Sequence, residues 1–230
     1  MTMQIKPCGD HNLTVEFENE ISEAVNKKVI QFSQAVEMSS IEGIRELVPS
    51  FRAVLIDYDP EAVGYQVLAE KLDETAKAAE DMPMPEPKIV EIPVCYGGEF
   101  GIDLDFVAEH SGLSKEEVIQ LHSGQNYYVY MLGFVAGFPY LGGMDKRLKT
   151  PRLETPRLKI PAGSVGIADE QTGVYPLQSP GGWQIIGRTP LPLWDRDKNE
   201  ALLSAGNYVR FKPISKEEYE ELSKERQVKE

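Results

Sequence analysis

The sequence GFVAGFPYLGG, residues 133–143, opens a segment in which glycine and proline alternate with aromatic residues. The segment continues through SPGGW at residues 179–183 and ends near GRTP at residues 187–190. Glycine permits backbone conformations with positive φ and proline fixes φ, so this density of both residues indicates a surface built from defined turns. From Asn126 onward short strand patterns lie between the turns, which is typical of a closed β-barrel.

The first hundred residues alternate strand and helix patterns. The patterns predict a hairpin over residues 3–18, helices over 22–38 and 61–80, and strands over 41–48, 51–58 and 88–94. The resulting order, βαββαβ, is that of a ferredoxin-like domain. We therefore predict an α+β protein whose first domain is ferredoxin-like.

The domain boundary is predicted between residues 96 and 102, and the proline-rich stretch Pro83–Pro87 is the alternative cut point. This gives a ferredoxin-like domain over residues 1–98, a β-barrel domain over 99–214 and a charged C-terminal helix or tail over 215–230. Short helices are also predicted at residues 103–111 and 115–122. Ser114 and Glu117 have the spacing of a capping box at the start of the second one.

Composition excludes several classes of protein. The chain has 230 residues and a formal charge of 24 minus 37, or −13, which disfavours nucleic acids and anionic membranes as partners. No stretch approaches the roughly 18 apolar residues of a membrane span, and the start lacks a signal-peptide pattern, so a cytoplasmic location is expected. Cys8 and Cys95 are far apart, so a disulfide is not expected.

Known cofactor motifs do not occur in the sequence. The three histidines, His11, His110 and His122, lack metal-ligand spacing, so we expect no metal site on this chain. Neither a Walker loop nor a Rossmann fingerprint is present, so a nucleotide would need an atypical site or a partner chain. Ser164 follows a Pro-Ala-Gly sequence and has the context of a turn residue, not of a nucleophile.

Four residues are candidates for a functional site, and each has a structural alternative. His122 shares a helix face with Val118 and suits either proton transfer or a hydrogen-bonded core position. Trp183 suits either ligand stacking or the covering of a glycine-rich strand. Arg152 and Arg157 each follow a proline in a cationic stretch, where they either bind a carboxylate or phosphate or belong to a solvated basic loop.

The same residues carry a family resemblance. The motifs GFPYLGG at 137–143, PAGSVGI at 161–167, QTGVYP at 171–176 and SPGGW at 179–183, with IPVCYGG at 92–98, closely resemble one family. It is the family of the histidine-kinase inhibitor KipI and of the 5-oxoprolinase component PxpB, also called allophanate hydrolase subunit 1. The resemblance covers nearly the whole chain. It implies a ferredoxin-like N-terminal domain and a cyclophilin-like β-barrel domain.

The resemblance implies one principal function and two alternatives. In the first, the chain is the B component of an ATP-dependent 5-oxoprolinase. This hydrolase opens 5-oxo-L-proline to L-glutamate and requires the A and C components as well. The isolated B component is expected to be inactive. ATP is then bound by the complex. In the second, the chain is a KipI-type inhibitor that docks on a sensor histidine kinase. The third alternative is a component of a urea or allophanate pathway.

The resemblance also implies that His122 corresponds to a histidine that lines the active region of carboxyltransferase relatives. Arg157 is added as a hypothesis because it lies in a rigid, cationic loop. His122 and Arg157 are then the expected catalytic residues, which would stabilise a developing oxyanion on an activated amide. The expected partner or substrate surface consists of Phe138, Pro139, Tyr140, Arg152, Gln178 and Trp183.

Overall fold

The computed structural model describes residues 3–80, 82, 83 and 86–227, with side chains up to residue 224. The chain divides into two compact units, Met1–Glu86 and Pro87–Glu230. Each unit has a hydrophobic core of its own, so each is described separately.

The first unit is a four-stranded antiparallel sheet with two helices. Its elements are β1 (Gln4–Pro7), β2 (Asn12–Glu16), α1 (Glu23–Ser39), β3 (Ile44–Pro49), β4 (Ala53–Tyr58) and α2 (Tyr65–Ala79). The Ser22 side chain accepts a hydrogen bond from Val25 N and caps α1, as the sequence predicts. The buried residues Val29 and Phe32 of α1 pack in the same core as Leu13 and Ile56 of the sheet.

The predicted βαββαβ order is not confirmed, because its last strand belongs to the second unit. The sheet order is β1-β2-β4-β3, so the edge beside β2 is occupied by its own hairpin partner β1. The strand predicted over residues 88–94 instead pairs in parallel with Tyr208–Pro213 along six residues. Its buried residues Ile92 and Val94 pack in the core of the second unit. The chain consequently divides after Glu86, within the alternative cut point, and not at residue 98.

The second unit is built around a closed barrel. Its strands are β5 (Ile89–Tyr96), β6 (Asn126–Leu132), β7 (Pro139–Gly142), β8 (Arg157–Ile160), β9 (Ser164–Ala168), β10 (Gln171–Val174), β11 (Ser179–Gly181), β12 (Gln184–Arg188), β13 (Trp194–Asp195), β14 (Glu200–Ala201) and β15 (Tyr208–Pro213). Seven of them close in the order β10-β7-β6-β15-β5-β12-β9. Its helices are α3 (Leu104–Ser111), α4 (Lys115–Ser123) and α5 (Lys216–Gln227), with a 3₁₀ turn at Lys146–Leu148. The barrel predicted from the glycine- and proline-rich segment is thus confirmed.

The start of α4 confirms the predicted capping box. Ser114 Oγ accepts a hydrogen bond from Glu117 N at 3.2 Å, and Glu117 Oε2 accepts one from Ser114 N at 2.8 Å. Because residues four apart share a helix face, Val118 and His122 both turn into the core of the unit. No described helix is long and apolar enough to cross a membrane.

The pleat of the barrel strands creates two separate apolar clusters. Successive side chains of a strand point to opposite faces. Val165 and Ile167 of β9 therefore pack in the interior, whereas Ala168 packs in a second cluster on the outer face. That outer cluster, which contains Phe138, Tyr175 and Trp183, brings together residues that are up to 47 positions apart in sequence.

Candidate functional site

His122 is fully buried and has two hydrogen-bond partners. Its Nδ1 lies 2.7 Å from the Tyr96 hydroxyl, and its Nε2 lies 2.8 Å from Thr172 Oγ1. The Thr172 hydroxyl donates its only proton to the Gly166 carbonyl at 3.0 Å, so it accepts from His122 Nε2–H. Nδ1 therefore accepts from Tyr96. The ring also stacks on Phe211, with centroids 4.6 Å apart.

The environment of His122 favours a neutral ring. Burial lowers the pKa of His122 from 6.5 to about 3. Burial also raises the pKa of Tyr96 well above its usual value, so the tyrosine keeps its proton at neutral pH. A neutral, fixed imidazole without exposed surface matches the core alternative for this residue, and direct catalysis by His122 stays a prediction.

Arg157 is held in an ion pair with Asp103, just before α3. Its guanidinium donates two hydrogen bonds to the carboxylate, at 2.7 and 2.9 Å. Asp103 Oδ2 also accepts from Ile185 N at 2.6 Å, and Arg157 Nη1 lies 3.4 Å from the Trp183 carbonyl. The pair thus joins β8, β12 and the start of α3. Arg157 and His122 share no described contact partner, so the structure does not bring the two predicted catalytic residues together.

Several residues of the predicted partner surface form one aromatic face, defined here as Phe134, Phe138, Tyr140, Arg152 and Trp183. Phe138 contacts the rings of Tyr140 and Trp183 edge-on, with centroids 5.5 Å apart in both pairs. Arg152 places its guanidinium 5.8 Å from the centroid of the Trp183 ring. Phe138 and Trp183 are buried and form the floor of this face, while Arg152 is exposed.

The other two predicted surface residues have different environments. Pro139 is buried in β7, where it pairs with Leu132 of β6. Gln178 is exposed before β11, and no described contact connects it to the aromatic face. Their assignment to a partner or substrate surface stays a prediction.

Glycines in the strands allow the aromatic rings to lie directly on the sheet. A Cβ atom at Gly173 would lie 3.0 Å from Phe138 Cζ and 3.1 Å from Trp183 Cζ3. Its neighbour Thr172 points the other way, to His122 inside the barrel. Strand β10 therefore separates the buried histidine from the aromatic face by the thickness of one strand.

Phe134 is a member of this face that the sequence analysis did not identify. It has φ 66°, a left-handed conformation that aromatic residues rarely adopt, and its side chain is 67% exposed. Its ring contacts Phe138 edge-on at 5.8 Å. Backbone strain combined with an exposed aromatic ring is typical of recognition sites. The signal in the sequence was the placement of this bulky residue between Gly133 and Gly137.

Asp103, Tyr96 and Thr172 were also missed. Each is a common polar residue that acts here through a partner 26 to 54 positions away in sequence. Among the described residues, no group of three or more His, Cys, Asp or Glu side chains could hold a metal ion.

Comparison with known proteins connects this site to a family. The family model for the carboxyltransferase domain, subdomain C and D, matches residues 3–204. The chain is 45% identical to the B component of 5-oxoprolinase from Bacillus subtilis (strain 168), over 94% of this chain and 95% of that protein. It is 42% identical to the B component of 5-oxoprolinase from Escherichia coli O157:H7, over 89% and 93% of the two chains.

A solved structure agrees with these sequence matches. A conserved uncharacterized protein from Pyrococcus horikoshii is 46% identical and superposes with a TM-score of 0.56, covering 94% of this chain and all of that one. With its barrel, its motif-bearing turns and these relatives, the chain belongs to the carboxyltransferase-domain family that contains the B component of 5-oxoprolinase.

Proposed function

We propose that this chain is the B component (PxpB) of an ATP-dependent 5-oxoprolinase, which opens 5-oxo-L-proline to L-glutamate together with the A and C components. The observation that carries the proposal is the 45% identity to a 5-oxoprolinase B component over nearly the full length of both chains. ATP is assigned to the assembled complex because this sequence has no Walker loop or Rossmann fingerprint.

The aromatic face is the proposed contact surface for another component of the complex. It combines an exposed aromatic ring, Phe134, with buried aromatic support and an arginine, which is the composition that dominates binding energy at protein interfaces. The rigid floor of Phe138 and Trp183 means that little side-chain entropy is lost on binding.

The roles proposed for His122 and Arg157 are to position other groups. His122 holds the side chains of Thr172 and Tyr96 in place by hydrogen bonds inside the barrel. Arg157 binds Asp103, which precedes α3, and also lies 3.4 Å from the Trp183 carbonyl. A carboxylate already neutralises Arg157, so an oxyanion would have to compete with Asp103 for the guanidinium. Direct contact of either residue with substrate would therefore require a rearrangement on assembly.

Turnover is expected only from the complete complex. The experiment measures 5-oxoproline-dependent ATP hydrolysis and glutamate release with this chain, with the candidate A and C components, and with all of them combined. Glutamate should form only in the full mixture. Absence of turnover in a complex whose assembly is verified by sedimentation would contradict the proposed function.

Replacing Phe134 with glycine is expected to weaken assembly without destabilising the chain. Glycine relieves the left-handed strain, so the free energy of unfolding should stay the same or rise by up to about 1 kcal/mol. Loss of an aromatic anchor should weaken binding to the partner component by about tenfold or more. Binding is measured by interferometry and unfolding by urea denaturation.

The matched control for this variant is Phe106→Ala on α3. Phe106 is 45% exposed and stacks on His110, away from the aromatic face. This control should leave assembly unchanged. If the wild type and Phe134→Gly bind the partner component equally well, the proposal that the aromatic face is part of the interface is contradicted.

A further inference from the structure

A small cleft lies on the outer side of the barrel unit, beside Arg157 and Ile185, and Ile185 packs in the same apolar cluster as Phe138 and Trp183. Its volume is about 40 Å³, and it is open to solvent on one side. Its walls include Phe100, Lys159, Ile160, Ser164 and Arg188. Two of these residues carry polar atoms that no part of the described chain satisfies.

Ser164 is the first of the two. It begins β9, has no exposed surface, and its Oγ has no hydrogen-bond partner among the described residues. Val165 beside it packs in the barrel interior, so the Ser164 side chain turns to the outer face, where the cleft lies. A buried hydroxyl without a partner costs free energy, so an acceptor group from outside the chain would gain stability by binding here.

Arg188 is the second, directly opposite Ser164 in the pairing of β12 with β9. Its Nε is buried without a partner, and its guanidinium lies 5.6 Å from the centroid of the Phe100 ring. Stacking on an aromatic ring holds the guanidinium plane while leaving its N–H edge available. No described carboxylate lies within ion-pair distance of Arg188.

The carboxylates nearest to the cleft are already paired. Glu99 accepts a hydrogen bond from Lys216 Nζ at 2.6 Å. Asp103 holds Arg157 through two hydrogen bonds. The exposed Lys159 adds a further positive charge to the cleft wall. Glu99 also lines the cleft and interacts electrostatically with Arg188, but Arg188 and Lys159 together carry more positive charge than this one carboxylate balances.

We propose that this cleft binds the carboxylate group of a small molecule, with Arg188 as its ion-pair partner and Ser164 Oγ as a hydrogen-bond donor. An arginine fork matches the planar geometry of a carboxylate. A cavity needs about 10–15 Å³ by the same measure to hold one water molecule, so a cleft of about 40 Å³ has room for a carboxylate group while the remainder of the ligand extends into solvent. The inference is independent of the proposed function, since binding is a property of this chain alone.

The test is a titration of the isotopically labelled full chain, followed through the backbone N–H signals of Ser164 and Arg188. The probes are 5-oxo-L-proline, its neutral amide 5-oxo-L-prolinamide, and inorganic phosphate. We expect saturable shifts with the carboxylate and none with the amide. Equal binding of the amide, tighter binding of phosphate, or no saturation by the carboxylate would each overturn the proposal.

Two substitutions assign the binding groups. Arg188→Gln should weaken carboxylate binding by about tenfold or more, since a charged hydrogen bond is lost. Ser164→Ala should weaken it by about threefold while leaving Tm unchanged or higher, because the Oγ has no partner in the free chain. A merely structural serine would lower Tm instead. Arg196→Gln, at an exposed arginine outside this cleft, is the charge-matched control.

The result also separates this inference from the proposed function. If the assembled complex hydrolyses 5-oxo-L-proline but the isolated chain binds no carboxylate, the cleft proposal fails and the proposed function stands. If the chain binds the carboxylate through Arg188 but the complex shows no turnover, the cleft proposal stands and the proposed function fails.

Discussion

Asp103→Ala is expected to lower the free energy of unfolding of the barrel unit by about 3 kcal/mol or more, the range found when one partner of a largely buried ion pair is removed. The Asp103 side chain is 11% exposed and that of Arg157 is 29% exposed. Asp103 accepts two hydrogen bonds from Arg157 and one from Ile185 N, so its loss removes the acceptor of all three. The variant also releases the start of α3 from β8 and β12.

The measurement is urea denaturation followed by tryptophan fluorescence. Both tryptophans of the chain, Trp183 and Trp194, lie in the second unit, so the signal reports on the barrel alone. Asp103→Asn keeps an acceptor for Ile185 N but loses the charge, so its effect should be intermediate.

A second bidentate ion pair, between Asp145 and Arg147, provides the control. Asp145 accepts two side-chain hydrogen bonds from Arg147, at 3.0 and 2.7 Å, and one from Arg147 N at 2.9 Å, and the side chains of Arg147 and Asp145 are 62% and 27% exposed. An ion pair with a largely exposed arginine contributes about 0 to 1 kcal/mol and the cap about 1 kcal/mol, so Asp145→Ala should cost about 1 to 2 kcal/mol, less than Asp103→Ala. Similar losses in the two variants would show that burial does not set the strength of the Asp103 pair.

His122 is expected to make the barrel unit lose stability as the pH falls below 6.5. The unfolded chain binds a proton at this residue near pH 6.5, whereas burial keeps the folded pKa at about 3. The contribution of the neutral histidine to the free energy of unfolding is therefore fully present above pH 6.5 and is lost as the pH falls toward 3. Linkage gives a slope of about 1.4 kcal/mol per pH unit in this window, or about 3 kcal/mol between pH 6.5 and 4.

The contribution of His122 is isolated by comparison with His122→Gln. Carboxylates also titrate in acid, so the test is the difference in slope between wild type and variant, measured by urea denaturation at several pH values. The wild type should show the steeper loss between pH 6.5 and 4. Parallel slopes for wild type and His122→Gln would contradict the buried, neutral assignment.

Local signals in the sequence were sufficient for several elements. The Ser114–Glu117 capping box and the Ser22 cap depend on residues three positions apart, and both occur as predicted. The barrel followed from the density of glycine and proline, because each of these residues restricts or frees φ at its own position. The charged segment after residue 215 forms α5, also in agreement with its local pattern.

Pairing between distant segments could not be predicted in the same way. The strand over residues 88–94 has the same local pattern whether it pairs with β2 or with β15, and only the register with Tyr208–Pro213 places it in the barrel. The first sheet then takes β1 as its edge strand. The domain boundary moves to Glu86 as a direct consequence.

For the candidate site, the sequence by itself determined the residue types, the motifs and the family to which they belong, since these are properties of the linear order of residues. Only the tertiary structure decided which residues act together. His122 meets Tyr96 and Thr172, Arg157 meets Asp103, and Ser164 lies opposite Arg188. Burial and hydrogen-bond partners depend on strand pairing across the barrel, so the charge state of His122 and the unsatisfied atoms of the cleft emerge only when the barrel closes.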